Sequence, residues 1–371
     1  KQHANAGRGN VIYKNLKISK ALFMKIFFSP KTQNHSPKTF ISRGHVIESP
    51  ERAERADILR TAAKNAGHTI TEIFSEHYHS ALDIHDEAYI GFLKNGWQQW
   101  SILEGSSEEI IPNVHPGRNM NANPSAIVSA AGYYQADTAC PIGAKTWEGA
   151  KASADTVIAA ASNLLDRHQN NEHENFVYSL CRPPGHHAYA DQAGGFCFLN
   201  NCAIAANFFL KQGFPRIAIL DVDVHHGNGT QGIFYERSDV LTVSLHGDPS
   251  EYYPFFAGYE EEVGLANGKN FNINYPLSRG TADLEYMRVL QKALGQIKDF
   301  KPQILIIALG LDASEEDPLA FLALTTKGFL ELGKVIASAK LPTIIVQEGG
   351  YISPILGDNL TATLKGFEDN R

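Results

Sequence analysis

A mostly parallel β-sheet covered on both faces by helices is the fold class predicted by three features of this 371-residue chain. Short apolar runs recur along it, helical patterns lie between many of them, and polar residues gather just after the runs rather than within them. The runs are Ile26–Phe28, Phe176–Cys181, Ile217–Val222, Val240–Leu245, Phe271–Tyr275, Ile304–Leu309 and Thr343–Val346. Apolar runs that do not alternate with polar residues mark strands buried on both faces, as a parallel sheet requires.

The helices follow from spacing and caps. Ser49-Pro-Glu-Arg ahead of Ala53–Ala66 supplies a cap, a first-turn proline and early acid. Ala150–Leu165 is rich in alanine, Cys202–Leu210 is apolar, and Leu284–Ile297 repeats its apolar residues at three and four. Residues 104–125 and Asn34–Ser49 carry many turn residues and weak periodicity. They are expected to be long loops, which in a compact domain usually serve a function. No repeat or change of composition divides the chain, so one domain is expected over residues 24–371. Residues 1–23 are basic and polar ahead of Met24-Lys-Ile-Phe-Phe, and are expected to be an extension outside it.

Composition excludes several classes. Hydrophobic residues at 43% and charged ones at 20% describe an ordinary globular protein. A formal charge of −7 argues against a general nucleic-acid binder, and no apolar run is long enough for a membrane. Cys140, Cys181, Cys197 and Cys202 form no CxxC pair, which fits reduced thiols and a cytoplasmic location.

The most informative stretch is Ile217-Ala-Ile-Leu-Asp-Val-Asp-Val-His-His-Gly-Asn-Gly-Thr-Gln231. Asp221, Asp223 and His225 are spaced by two at the end of an apolar run, so on a strand they share one face. Ligand crevices of α/β sheets lie beyond the carboxyl ends of the strands. One such residue would read as a turn former or cap. Two carboxylates on one face repel each other unless a cation, donors or a proton intervene. The trio therefore reads as a divalent metal site, most naturally for zinc. Asp221 lies deeper and fits an orienting residue or an alkali-metal ligand.

Three more runs end in the same way. Phe176–Cys181 leads into Arg182-Pro-Pro-Gly-His-His-Ala188, Ile304–Leu309 into Gly310-Leu-Asp312-Ala-Ser-Glu-Glu-Asp317-Pro, and Thr343–Val346 into Glu348-Gly-Gly-Tyr351. Each alone has a structural explanation: a surface pair, a helix cap, a packed aromatic. Together they offer a general base, a third metal ligand and a hydroxyl donor, which are the parts of a mononuclear hydrolase.

These segments, with GGFCFLNN and VSLHGDP, resemble the arginase/deacetylase fold in its zinc-dependent branch, that of histone deacetylases and bacterial acetylpolyamine amidohydrolases. The resemblance runs from Met24 to about Leu364. It implies a three-layer α/β/α domain with an eight-stranded sheet and an apolar tunnel. It also implies metal ligands at Asp223, His225 and Asp312, and reacting side chains at His186, His187 and Tyr351. His186 would be oriented by Asp221, and His187 by Asn228, where the main eukaryotic enzymes have aspartate. One zinc per chain is implied, with iron(II) an acceptable substitute, plus structural potassium at Asp221, Asp223, His225, Ser244 and Leu245. A second alkali-metal site falls on Phe234, Arg237 and Val240, and tunnel walls on Gly195, Phe196 and Tyr253. The chemistry implied is attack of water on an acyl amide, with His187 moving the proton and Tyr351 donating to the oxyanion.

Within the branch, His246-Gly-Asp-Pro-Ser-Glu-Tyr-Tyr-Pro-Phe-Phe-Ala-Gly-Tyr-Glu260 is similar to the polyamine enzymes, whereas histone deacetylases usually carry a PGTG turn there. Asp137, Asp248, Glu251, Glu260, Glu261 and Glu262 are expected near the mouth, where they would attract a polycation. An acidic residue that polyamine enzymes place before Gly132-Tyr-Tyr is replaced here by Val128-Ser-Ala-Ala. The expected substrate is a small acetylated amine. The alternatives are a protein-lysine deacetylase and, more distantly, a binuclear manganese ureohydrolase, which needs a carboxylate where this chain has Ser314. A binding protein without activity would be expected to have lost one of the histidines or the tyrosine. A homodimer is expected to use Asn34–Ser49, as the polyamine enzymes use an insertion there.

Overall fold

The computed structural model describes residues 23–74, 83–120, 124–170 and 175–370. Residues 1–22, nearly all of the expected extension, lie outside the described residues. Phe23, which the sequence placed in the extension, packs edge-on against His68 at 6.1 Å between ring centroids.

The strands are β1 (Lys25–Phe28), β2 (Thr39–Ser42), β3 (His45–Glu48), β4 (Thr69–Glu72), β5 (Phe176–Ser179), β6 (Ile217–Asp221), β7 (Val240–Gly247), β8 (Asn272–Leu277), β9 (Ile304–Leu309) and β10 (Thr343–Gln347). The helices are α1 (Glu54–Asn65), α2 (Glu87–Ser101), α3 (Ile127–Tyr134), α4 (Thr146–Gln169), α5 (Asn201–Lys211), α6 (Asn228–Phe234), α7 (Asp283–Phe300), α8 (Thr326–Ala337) and α9 (Leu356–Asp369). Eight strands form one sheet in the order β4-β1-β5-β10-β9-β6-β7-β8, and every pairing is parallel.

The apolar runs are buried because alternate residues serve two cores. Ala218, Leu220, Leu305 and Ile307 face the core shared with α1, α7, α8 and α9, whereas Ile217, Ile219, Ile304 and Ile306 face the core of α2, α4 and α5. The eighth strand, β4, was not legible as a run. It is an edge strand, Thr-Ile-Thr-Glu, with no fully buried residue.

Two local expectations are corrected. Helix α1 starts at Glu54, and Ala53 precedes it without a side-chain cap. Ser49 instead accepts from the Glu51 backbone N–H at 3.3 Å, and the proline lies in a turn that sends the Glu51 side chain inward. The expected loop Asn34–Ser49 contains the antiparallel hairpin β2–β3. Its turn residues Arg43 and Gly44 have φ of 50° and 82°, the positive values that a tight hairpin turn requires. With no strand residue fully buried, its sequence shows no apolar alternation.

Candidate active site

The loops carrying the four polar motifs leave β5, β10, β9 and β6, which are adjacent at the centre of the sheet. Parallel strands put all four at one edge, so groups far apart in sequence meet there.

Strand β6 ends at Asp221, so alternation along a strand places only the first of the three spaced residues. The rest is built by side chains capping the backbone. Asp221 Oδ1 accepts from the Asp223 N–H at 3.1 Å, and Asp223 Oδ1 from the His225 N–H at 2.8 Å. Asp312 comes in after β9 and accepts from the Val224 N–H at 3.2 Å. His225 Nδ1 then lies 3.2 Å from Asp223 and 3.3 Å from Asp312. Ligand atoms of the three residues lie within 4.8 Å of one another, and all three residues are buried.

This donor set fits a divalent cation. Asp312 Oδ2 is buried without a hydrogen-bond donor. A Cβ at position 349 would lie 2.0 Å from that oxygen and 2.5 Å from Asp223 Oδ2, so glycine keeps the space beside both carboxylates open. Burial opposes protonation of His225, yet Asp223 and Asp312 raise its pKa to about 9. That is an excess of negative charge in want of a cation. Two carboxylates and an imidazole suit zinc and tolerate iron(II).

The tandem histidines stand above this trio with ring centroids 4.0 Å apart. His186 Nδ1 pairs with Asp221 at 2.9 Å, and His187 Nδ1 with the Asn228 carbonyl at 2.6 Å. Both expected partners are in place. Burial works against the charged form of both. Asp223 and Asp221 overcome it at His186, whose pKa rises to about 10, whereas at His187 burial and the neighbouring imidazoles push the pKa well below 6.5. His187 is therefore the neutral member.

Tyr351 lies under a frame that the sequence did not reveal. Arg55 donates to the carbonyls of Gly350 at 2.5 Å and Glu348 at 2.8 Å, and its guanidinium carbon sits 4.8 Å from the Tyr351 ring centroid. Glu51 pairs with Arg55 at 2.7 Å and with Arg182 at 2.9 Å. Asp317 accepts from the Tyr351 N–H at 2.7 Å, and Glu348 from the N–H groups of Gly185 and His186 at 2.5 and 3.0 Å. Burial pushes the Glu348 carboxyl up to about 7. Arg55 and Glu51 carried no sequence signal, because a charged pair four apart normally lies on a solvated helix face.

Gly195, Phe196 and Tyr253, the expected tunnel walls, stand against His187 and Tyr351. A Cβ at position 195 would lie 2.4 Å from the His187 ring, so only glycine fits, and its φ of 49° suits glycine too. Phe196 also holds a positive φ, 69°, and packs on Tyr351 at 5.7 Å and on Phe40 of the hairpin at 5.4 Å. Tyr253 meets His187 edge-on at 4.9 Å. The acids expected at the mouth divide into two kinds. Glu251, Glu260 and Glu261 are exposed. Glu262 instead turns inward to Gln231 at 2.7 Å and the Gly258 N–H at 2.8 Å, and Asp137 is engaged by the Tyr253 hydroxyl at 2.6 Å. These two are corrected from free charges to internal acceptors.

Of the expected alkali-metal residues, Asp221 and Ser244 are register partners across β6 and β7, and Leu245 is buried one residue on. Phe234, Arg237 and Val240 mark the turn from α6 into β7, where the Phe234 carbonyl accepts from the Arg237 N–H at 3.0 Å.

Residues 46–367 match the histone deacetylase domain, and the chain belongs to that family, which makes it a hydrolase of acetyl amide bonds. It is similar to acetylpolyamine amidohydrolase 2 of Pseudomonas aeruginosa, with 43% identity over 93% of this chain and 99% of that protein. A crystal structure of acetylpolyamine aminohydrolase from Burkholderia pseudomallei covers 94% of this chain and 99% of its own, with TM-score 0.88 and 39% identity. The histone deacetylase-like amidohydrolase of P. aeruginosa is 38% identical over 66% of this chain and 64% of that protein. Among the described residues, no helix is long and apolar enough to cross a membrane.

Proposed function

We propose that the protein removes acetyl groups from acetylated polyamines or related small amines. The observation that carries this reading is the meeting of Asp223, His225 and Asp312 with a neutral His187 and with Tyr351 at one sheet edge. The choice of amine is supported by likeness to the polyamine enzymes over nearly the whole chain, against about two thirds of it for the histone deacetylase-like relative.

In this reading Asp223, His225 and Asp312 hold one zinc ion per chain. A cation held there polarises the acyl carbonyl and acidifies water. His187 takes the proton of the attacking water at Nε2, because its Nδ1–H is committed to Asn228. The Tyr351 hydroxyl donates to the oxygen on which charge develops. Protonated His187 then donates to the departing amine, leaving acetate and a free amine. Ser314, in place of a carboxylate, supports a single divalent ion. Potassium beside Asp221 and Ser244 is supported by a small buried cavity that these two line with Thr230, Gln231, Asn272 and Asn274.

A homodimer that restricts the mouth is supported by the hairpin, whose Phe40 reaches Phe196 while Val46 and Ile47 stand 71% and 48% exposed. Light scattering of an active preparation should give twice the chain mass, and a monomer at micromolar concentration would remove this part. For the substrate, kcat/KM should be higher for acetylputrescine, acetylcadaverine or acetylspermidine than for acetyl-lysine peptides. Turnover of the peptides with none of any acetylpolyamine would reassign the protein to protein-lysine deacetylation.

A further inference from the structure

Asp137 sits behind Tyr253 and Gly195, the two expected walls beside His187, without touching the metal-ligand trio. One of its oxygens accepts from the Tyr253 hydroxyl at 2.6 Å, and the other from the Ala139 N–H at 2.7 Å. The Gly195 N–H points at the same carboxylate, 3.2 Å from the nearer oxygen. The Tyr253 hydroxyl donates to this carboxylate, and the bond holds the ring in the orientation seen. That orientation sets the ring edge-on to His187 at 4.9 Å and to His225 at 6.0 Å. The same carboxylate anchors the Gly194–Gly195 ribbon, on which any side chain at position 195 would strike both the His187 ring and the Tyr253 hydroxyl. Two sides of the passage over His187, a ring and a strip of backbone, thus hang from one side chain.

We propose that Asp137 is a positioning residue that fixes the bore of the tunnel through Tyr253 and Gly195, and thereby selects slim, unbranched amines over bulky ones. The proposal rests on the reading of the site as an amide hydrolase. It gives Asp137 a task other than attracting charge, since all of its hydrogen bonds are to the protein's own wall. A phenol without its acceptor is free to turn about χ1, and the passage widens on that side.

The test compares acetylputrescine with an acetylated naphthylamine in the wild type, Asp137→Ala, Tyr253→Phe and the double variant. Either single change should raise the ratio of kcat/KM for the bulky amide over the slim one by about tenfold, the usual range for a reshaped apolar contact. The shift should come mainly from KM. In the double variant Tyr253→Phe should add less than twofold to Asp137→Ala, because the two act through one bond. An unchanged ratio in both single variants, or independent effects in the double, would overturn the proposal. So would an equal loss on both amides together with a lowered Tm, which is what a purely structural role gives. Binding of a slim alkyl hydroxamate and a naphthyl hydroxamate, measured by calorimetry on the same proteins, reads the bore without turnover. If the wild type hydrolyses neither amide, the reading of the site fails, and the affinity ratio still decides the role of Asp137.

Discussion

His186 and His187 are adjacent in sequence and their rings lie 4.0 Å apart at 44°, yet the two sides of the site treat them oppositely. On one side Asp223 and Asp221 outweigh burial and raise the pKa of His186 to about 10. On the other, His187 pairs with the amide of Asn228, and burial with the imidazoles of His186 and His225 pushes its pKa well below 6.5. The identity of a residue therefore says little about its charge here. At His186 the two carboxylates outweigh burial, whereas at His187 burial and the imidazoles of His186 and His225 outweigh the Asn228 hydrogen bond, which by itself favours the charged form.

Breaking the acidic side should cost most. Asp223→Ala removes a ligand from the trio and leaves His225 and Asp312 to hold the cation alone. Elemental analysis should show the divalent metal lost and assays should show activity abolished. Two manganese ions bound with comparable affinity in the wild type would refute the mononuclear site.

On the neutral side the damage should fall on rate rather than on metal content. His187→Ala removes the proton acceptor and should lower kcat by on the order of 10²–10⁴. Tyr351→Phe keeps the ring against Arg55 but deletes the donor, with a loss on the order of 10²–10³ in kcat. Near-wild-type turnover by either variant would take that side chain out of the chemistry.

The contrast itself can be weakened by one substitution. Asn228→Asp gives His187 the kind of partner that His186 already has. A carboxylate favours the imidazolium, so the folded pKa of His187 rises and the free base is lost at a higher pH. The acid limb of the kcat/KM profile should move up by about one pH unit. An unmoved limb would mean that ionisation of His187 does not govern it.

Burial of histidines outside the metal-ligand trio and the tandem pair should have a smaller effect, seen in stability. Burial lowers the pKa of His35 to about 3 and that of His85 to about 4. Between about 6.5 and 4 the unfolded chain binds protons at these positions that the folded chain refuses, so stability falls as pH falls through that window. The slope is about 1.4 kcal/mol per pH unit for each histidine. Urea melts at pH 7 and pH 5 measure it, and replacing His85 by a neutral residue should flatten the curve.

Much of this was legible in the sequence, for identifiable reasons. Strands β5, β6, β9 and β10 are buried on both faces, so they read as apolar runs, and each run ends where its motif begins. Elements at the edge were hidden. Strand β4 and the hairpin are too exposed to show an apolar pattern. The spacing of Asp221, Asp223 and His225 pointed to the right place, although two of the three are positioned by capped backbone and not by a strand. Asp137, Glu262, Arg55 and Glu51 were beyond reach because their direction depends on packing. Local spacing cannot tell an acid that faces solvent from one that faces inward.

The order of strands has a further consequence for how the two halves of the site are joined. Strand β10 comes last in the chain, yet it lies between β5 and β9 and joins β4-β1-β5 to β9-β6-β7-β8. Strand β10 supplies the pairing edge of both β5 and β9, and without it each would present an unpaired edge of buried-type residues. The tandem histidines belong to one part and the metal-ligand trio to the other. Of the strands in this sheet β10 is the last in sequence order, and its pairing on both sides brings the histidines and the trio to one edge.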